Sequence, residues 1–219
     1  MERIIDPIRA MLDLGGPVVA ILLVVSVISL ATILLKFWQF ARTGVGRRKK
    51  LEDALRLWDD GNDKAAIRST EASRSHIRSL MLEAMEGARK GKAGQGLLER
   101  LSARAEAQMS GLESGFRLLD SIAQTAPLLG LFGTVLGMID AFQSLEAAGS
   151  SVDPSRLAGG IWVALLTTAV GLGVAMPTAL ALTWLDGRLS RDRIFADKAL
   201  TMLLMPESSV GAAGHAAAS

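Results

Sequence analysis

The chain has 219 residues, half of them hydrophobic and 21% charged, with a mean hydropathy of +0.34. That balance is unusual for a water-soluble domain and points to a membrane protein. Cysteine is absent, which excludes a disulfide framework, a thiolate metal site and a cysteine nucleophile, and a net charge of +2 is too small to suggest a nucleic-acid partner.

Residues 1–13 carry scattered charges and are read as a segment outside the membrane. Leu14–Leu35 then runs for 22 positions without a charge. A helix needs about 20 apolar residues to cross the hydrocarbon core, so residues 14–37 are predicted to span the membrane. The run is expected to be a retained helix and not a signal peptide, because Arg42, Arg47, Arg48, Lys49 and Lys50 follow it instead of leading it. Residues 38–118 form a long insert that reads as helix. Leu51, Ala54, Leu55 and Trp58 recur at helical spacing, Gly61-Asn62 signals a turn, and Asp63 is placed to cap the next helix. Ile77, Leu80, Met81, Ala84 and Met85 form a second stripe, which the Gly- and Lys-rich stretch Gly87–Gly96 breaks. Leu97, Leu98, Leu101, Ala105, Met109 and Leu112 continue at spacings of three and four, with only Gly111 and Gly115 to weaken them. That helix is expected to run on into the next membrane span.

Ser121–Ile139 is the second uncharged run, of 19 residues, and predicts a span over 119–145. A short link, 146–156, separates it from Leu157–Leu185, a third run of 29 residues that predicts a span over 157–185. Residues 186–219 form a tail whose end, after Pro206, is small, polar and expected to be disordered. Positive charge fixes the orientation. Residues 41–118 hold 16 of the 24 Lys and Arg residues and 187–219 hold four more, whereas the amino-terminal segment holds Arg3 and Arg9 and the link only Arg156. The insert and tail are therefore expected on the cytoplasmic side, and the amino terminus and link outside. The predicted fold class is an all-α membrane protein of three transmembrane helices with long cytoplasmic helical extensions.

No enzyme chemistry is visible. Gly87–Lys92 has too few residues between its glycines for a phosphate-binding loop and has Ala93 where Ser or Thr is needed; Gly171-Leu172-Gly173 lacks the third glycine of a dinucleotide fingerprint. His76 and His215 are the only histidines and belong to the insert and the tail, so no catalytic or metal constellation is expected, and no cofactor.

Small residues dominate one face of each of the last two runs. Ala126, Gly130, Gly133, Thr134, Gly137 and Ala141 share a helical face in the second; Gly160, Ala164, Thr167, Thr168, Gly171, Ala175 and Thr178 share one in the third. Membrane helices approach through such faces because close backbone contact supplies the dispersion that lipid cannot. One reading is helix packing alone. The other is that the faces surround a narrow polar path, in which threonine hydroxyls donate and accept hydrogen bonds without a buried charge.

The string Ala126-Pro127-Leu128-Leu129-Gly130-Leu131-Phe132-Gly133-Thr134-Val135-Leu136-Gly137-Met138 resembles the second-helix signature of the MotA/TolQ/ExbB family, in its ExbB and TolQ branch. Gly160-Ile161, Ala164-Leu165-Leu166-Thr167-Thr168-Ala169, Gly171-Leu172 and Ala175-Met176-Pro177 resemble the third. The resemblance implies a ring-forming homo-oligomer, usually a pentamer, in the bacterial inner membrane. It would surround single-span partners of the ExbD or TolR type that carry a membrane Asp. Proton flow would drive movement passed to a TonB- or TolA-type protein. Thr134 and Thr168 match the family's pore threonines, with Thr167 beside them; Gly130, Gly133, Gly137, Gly160, Gly171, Pro127 and Pro177 are the packing positions. The family's glutamate before the Ala-Leu-Leu block is replaced here by Val163, and its Tyr-Asn after the proline by Leu182-Thr183. Asp140, six residues after Thr134, is either a solvated helix-end residue or a partial substitute at the proton entrance; Asp120 and Asp186 are read as interfacial. A MotA-like stator should show four spans. A non-conducting membrane scaffold is the reading Val163 favours, and no inverted repeat supports a solute transporter.

Overall fold

The computed structural model describes residues 2–148 and 154–205, and these form helices and turns without a strand. The helices are α1 (Glu2–Thr43), α2 (Lys49–Asp59), α3 (Asp63–Glu71), α4 (Arg78–Arg89), α5 (Gln95–Glu113), α6 (Phe116–Ala148) and α7 (Pro154–Leu204). Three stretches are long and apolar enough to cross a membrane: Gly16–Thr43, Phe116–Glu146 and Leu157–Leu204. The all-α class with three membrane-length helices is the one expected from the uncharged runs.

The chain divides into two units. One comprises the chain to Leu35 with Gly115–Thr183, and the other Lys36–Ser114 with the chain from Trp184. In the first, Val18, Leu22, Ile122, Ala126, Val174 and Ala175 form the buried core. Ser29 and Thr178 join α1 to α7 by a buried hydroxyl–hydroxyl hydrogen bond of 2.6 Å. Outward, Val24, Val27, Leu128, Leu131, Trp162, Leu165 and Leu180 are all at least half exposed. Large apolar side chains exposed in this number suit lipid or a neighbouring chain. In the second unit α2 packs on α3, α3 on α4, and α4 on α5. Leu51, Ile77, Leu80, Met81, Met85, Leu101, Met109, Leu189 and Leu200 are fully buried there, so the apolar stripes of the insert face its core.

Two expectations are corrected, the run of the helix near Leu97 into the second span and the residue that caps α3, and two further features were not foreseen. The helix beginning near Leu97 does not run into the second span. Ser114 is extended (φ −50°, ψ 132°) and Gly115 takes φ 85°, a left-handed conformation cheap only for glycine, which ends α5 and starts α6 at Phe116. The long extension belongs instead to α7, which continues 19 residues past Leu185 to Leu204 although charges return at Asp186. Residues 2–13 are helical, and the break falls at Gly16 (φ 61°, ψ −161°), where Pro17 disfavours a right-handed helical residue before it. Asn62, not Asp63, caps α3, its side chain accepting from the Ala65 N–H at 3.3 Å. His215, residues 149–153 of the link and the tail after Pro206 lie outside the described residues.

Candidate functional site

Helices α6 and α7 meet through their small faces. A methyl added to Gly130 would lie 2.9 Å from the Thr167 carbonyl oxygen and 3.0 Å from Thr168 Cα; one on Gly133 would lie 2.7 Å from Thr167 Oγ1 and 3.0 Å from Val18 of α1. Gly137 faces Ala164, Gly160 faces Ala141, and Gly171 faces the Ala126 carbonyl and Gly130. The backbones touch because no side chain intervenes, which is the approach small-residue membrane interfaces provide. Pro127 and Pro177 sit inside α6 and α7. Each removes one N–H from the helix and leaves a carbonyl one turn earlier without its usual donor.

The three threonines take different positions. Thr167 is buried in the α6–α7 seam, and its hydroxyl donates to the Ala164 carbonyl at 2.7 Å, with the Gly130 carbonyl at 3.1 Å. Thr134 is half-buried and donates to the Leu131 carbonyl at 2.6 Å, which leaves its oxygen lone pairs available as acceptors. Thr168 differs from both. Its hydroxyl oxygen is buried yet has no hydrogen-bond partner among the described residues. The local cause is its neighbour. A helical threonine ordinarily bonds back to the carbonyl four residues earlier, as Thr178 does to Val174 and Thr183 to Ala179. For Thr168 that carbonyl is Ala164, which already accepts the Thr167 hydroxyl and, in a continuous helix, the Thr168 N–H. With both lone pairs used, the bond four residues back is closed to Thr168, and its buried hydroxyl is left open to a further partner.

Asp140 is exposed near the end of α6 and shares a pocket of about 430 Å3 with Gly137, Ala141, Ser144, Gly160 and Val163. The carboxylate of α6 and the valine standing at the glutamate position of α7 therefore line one cavity, a juxtaposition the sequence spacing alone did not reveal.

A second polar cluster, in the other unit, was not anticipated. Asp192 of α7 is fully buried. Its Oδ2 accepts the Gly46 N–H at 2.7 Å, its Oδ1 lies 3.2 Å from Arg48 Nε, and Oδ2 lies 3.8 Å from His76 Nδ1. Arg188 Nε donates to the Val45 carbonyl at 3.1 Å, and Arg48 to the Arg191 carbonyl at 3.0 Å. The turn after α1 is thus fastened to α7. Burial lowers the proton affinity of His76 below its ordinary value, while the Asp192 carboxylate opposes that shift. Residues 46, 48, 76 and 192 are too far apart in sequence for any spacing motif to flag them; only the lone charge of Asp192 among the buried Leu185, Leu189, Phe195, Ala196 and Ala199 of α7 hinted at a partner.

A family model described as the MotA/TolQ/ExbB proton channel family matches residues 72–194, more than half of the chain. The chain is 44% identical over 82 residues to the biopolymer transport protein exbB1 of Vibrio cholerae, covering 36% of each. It is 30% identical over 164 residues to an ExbB-like biopolymer transport protein of Synechocystis sp., covering 74% of this chain and 64% of that one. With the biopolymer transport protein ExbB of Neisseria meningitidis it shares 28% identity over 195 residues, covering 82% of this chain and 87% of that one. The matches span about a third of the length of the first of these relatives and just under two thirds of the second. Three membrane-length helices and the matched stretch, which takes in the α6–α7 seam, lead to one conclusion: the chain belongs to the MotA/TolQ/ExbB proton channel family.

Proposed function

We propose that this chain is the scaffold subunit of a proton-motive-force-driven motor of the ExbB/TolQ type in the bacterial inner membrane. It forms a homo-oligomeric ring, a pentamer, around ExbD- or TolR-type single-span helices that carry a membrane Asp. The movement it supports is passed to a TonB- or TolA-type protein, in TonB-dependent transport or Tol-type envelope maintenance. The observation that carries this reading is the Thr168 hydroxyl, buried in an apolar unit and left without a partner by its own chain. A hydroxyl held ready for an outside group suits a path in which a partner carboxylate takes up and releases a proton. Thr134 adds acceptor lone pairs on the adjoining helix. Neither threonine needs to ionise; they hold water or the partner carboxylate while the charge resides on the partner. One charge crossing about 100 mV is worth about 2.3 kcal/mol, enough to bias a movement repeated at each passage. Asp140 would supply, from α6, the carboxylate that Val163 lacks at the mouth of that path.

The Val163 substitution favours a second reading, a scaffold that does not conduct. Thr134 and Thr168 discriminate. Thr→Val keeps shape and removes the polar atom; Thr→Ser keeps the hydroxyl and loses a methyl. In cells, energised uptake or envelope integrity is measured beside oligomer mass. Loss in Thr134→Val and Thr168→Val with partial retention in the Ser variants is expected. Activity that follows side-chain volume, with Ser worse than Val, refutes the proton-path role.

A further inference from the structure

Arg47, Arg48, Lys49, Lys50 and Arg74 line one pocket of about 310 Å3, completed by Gly46, Ala72 and Ser73 without an acidic side chain. The pocket lies wholly within the unit that contains α2–α5. Two of its cations are structural. Arg48 is held by Asp192, and Lys50 donates to the Ala72 carbonyl at 3.0 Å. The other three, Arg47, Lys49 and Arg74, are exposed and enter no ion pair among the described residues. The walls are preformed. Gly44 takes φ 71° and Gly46 φ 80°, conformations glycine adopts at little cost. At Gly44 the Arg74 backbone carbonyl occupies the space a side chain would need, which brings Arg74 alongside the turn. Like charges gathered from two separate stretches repel one another, and an anion between them removes that penalty.

The surroundings specify what kind of anion. Phe37 stacks on Trp184 at 5.0 Å, Arg42 lies 4.5 Å above the Trp38 ring, and Arg188 lies 5.1 Å from the Trp184 ring. Trp38 is 59% exposed and Trp184 44%. Exposed tryptophans at the end of an apolar helical run mark the level of the lipid headgroups, and only four residues of chain separate Arg42 from Arg47. Clusters of about four to eight Lys and Arg immediately beyond a membrane helix recognise anionic lipid. We propose that the pocket of Arg47, Arg48, Lys49, Lys50 and Arg74 binds the phosphate of an anionic phospholipid headgroup. Arg47, Lys49 and Arg74 supply the charge, and Arg48 and Lys50, already fastened, hold the walls. The inference stands on this pocket and is independent of the motor function proposed above.

The test uses the full chain in non-ionic detergent, titrated with phosphatidylglycerol or with phosphatidylcholine of the same acyl chains and read by native mass spectrometry. Wild type should retain phosphatidylglycerol in preference. Each cation near a membrane surface contributes about fivefold in binding, so Arg47→Gln/Lys49→Gln/Arg74→Gln should weaken it by about a hundredfold at most. The exposed control Lys64→Gln/Arg89→Gln/Lys92→Gln removes equal charge elsewhere and should leave binding unchanged. Arg74→Gln alone leaves the α1–α2 turn intact and should cost about fivefold, which keeps the test decisive if the triple variant fails to fold. Equal retention of the two lipids, equal loss in both triple variants, or no effect of Arg74→Gln overturns the proposal. Inorganic phosphate binding as tightly as phosphatidylglycerol would overturn the lipid assignment and identify a soluble anion as the ligand.

Discussion

Gly171 and Gly173 lie two residues apart on α7 and make a matched pair. A methyl on Gly171 would lie 2.6 Å from the Ala126 carbonyl oxygen, 3.1 Å from Gly130 Cα and 3.2 Å from Gly130 N; on Gly173 it would meet nothing within 4 Å. The atoms facing Gly171 are backbone, so no side chain can swing aside. Carbon atoms prefer separations of about 3.5–4.0 Å, and a gap of about 0.5–1 Å forfeits a quarter to a half of the dispersion well. The α6–α7 seam would have to open by that order, which also loosens Gly130 against Thr167 and Gly137 against Ala164. Overpacking of this kind costs about 1–3 kcal/mol. For a chain of this size each kcal/mol moves Tm by about 2–4 °C, so a loss of about 2 kcal/mol lowers Tm by about 4–8 °C. Gly173→Ala meets no obstacle and gains helix propensity worth up to about 1 kcal/mol, so its Tm should hold or rise slightly. The assay is thermal loss of helical circular dichroism of the full chain in detergent, with oligomer mass measured beside it. Equal falls for the two variants, or the larger fall for Gly173→Ala, would refute the assigned seam.

Two further outcomes follow from named groups. His76 has a lowered proton affinity in the folded chain, chiefly from burial, so the stability gained by keeping it neutral is complete above its ordinary value of 6.5 and is lost as pH falls below it. Melting measured from about pH 8 down to about pH 5.5 should therefore show a fall below about pH 6.5 that His76→Gln diminishes, and an undiminished fall in the variant assigns it elsewhere. For orientation, single cysteines at Glu2 and Lys64 use the absence of native cysteine. The first should react with an impermeant reagent from the periplasm and the second only after the membrane is opened, and the reverse pattern rejects the topology.

The membrane helices were plain in the sequence because a soluble chain rarely runs for about 20 positions without a charge. The small faces of α6 and α7 were equally readable, since Gly130, Gly133, Gly137, Gly160 and Gly171 recur at helical spacing and do meet in the structure. The end of α5 was not readable. Gly111 and Gly115 look alike in sequence, yet Gly111 stays helical while Gly115 turns left-handed. The length of α7 was hidden because a charged, solvated helix and a polar tail share a composition. The Thr168 orphan required knowing that Thr167 claims the Ala164 carbonyl, which depends on rotamer and not on residue type. The Asp192 cluster joins three distant stretches, so no local pattern contains it.

Proton flux in liposomes tests the motor reading most directly. The purified chain is reconstituted as the homo-oligomer, alone or with a single-span partner bearing a membrane Asp, and a potential of about 100 mV is imposed. Among the described residues of this chain, the α6–α7 seam is built from glycines, alanines and the Thr167 hydroxyl, and the Asp140 carboxylate is exposed in the pocket beside Val163. The expected result is negligible flux from the chain alone, flux when the partner is present, and its loss when the partner Asp is changed to Asn. Robust flux through the homo-oligomer without any partner, or flux that survives loss of the partner Asp, would contradict it.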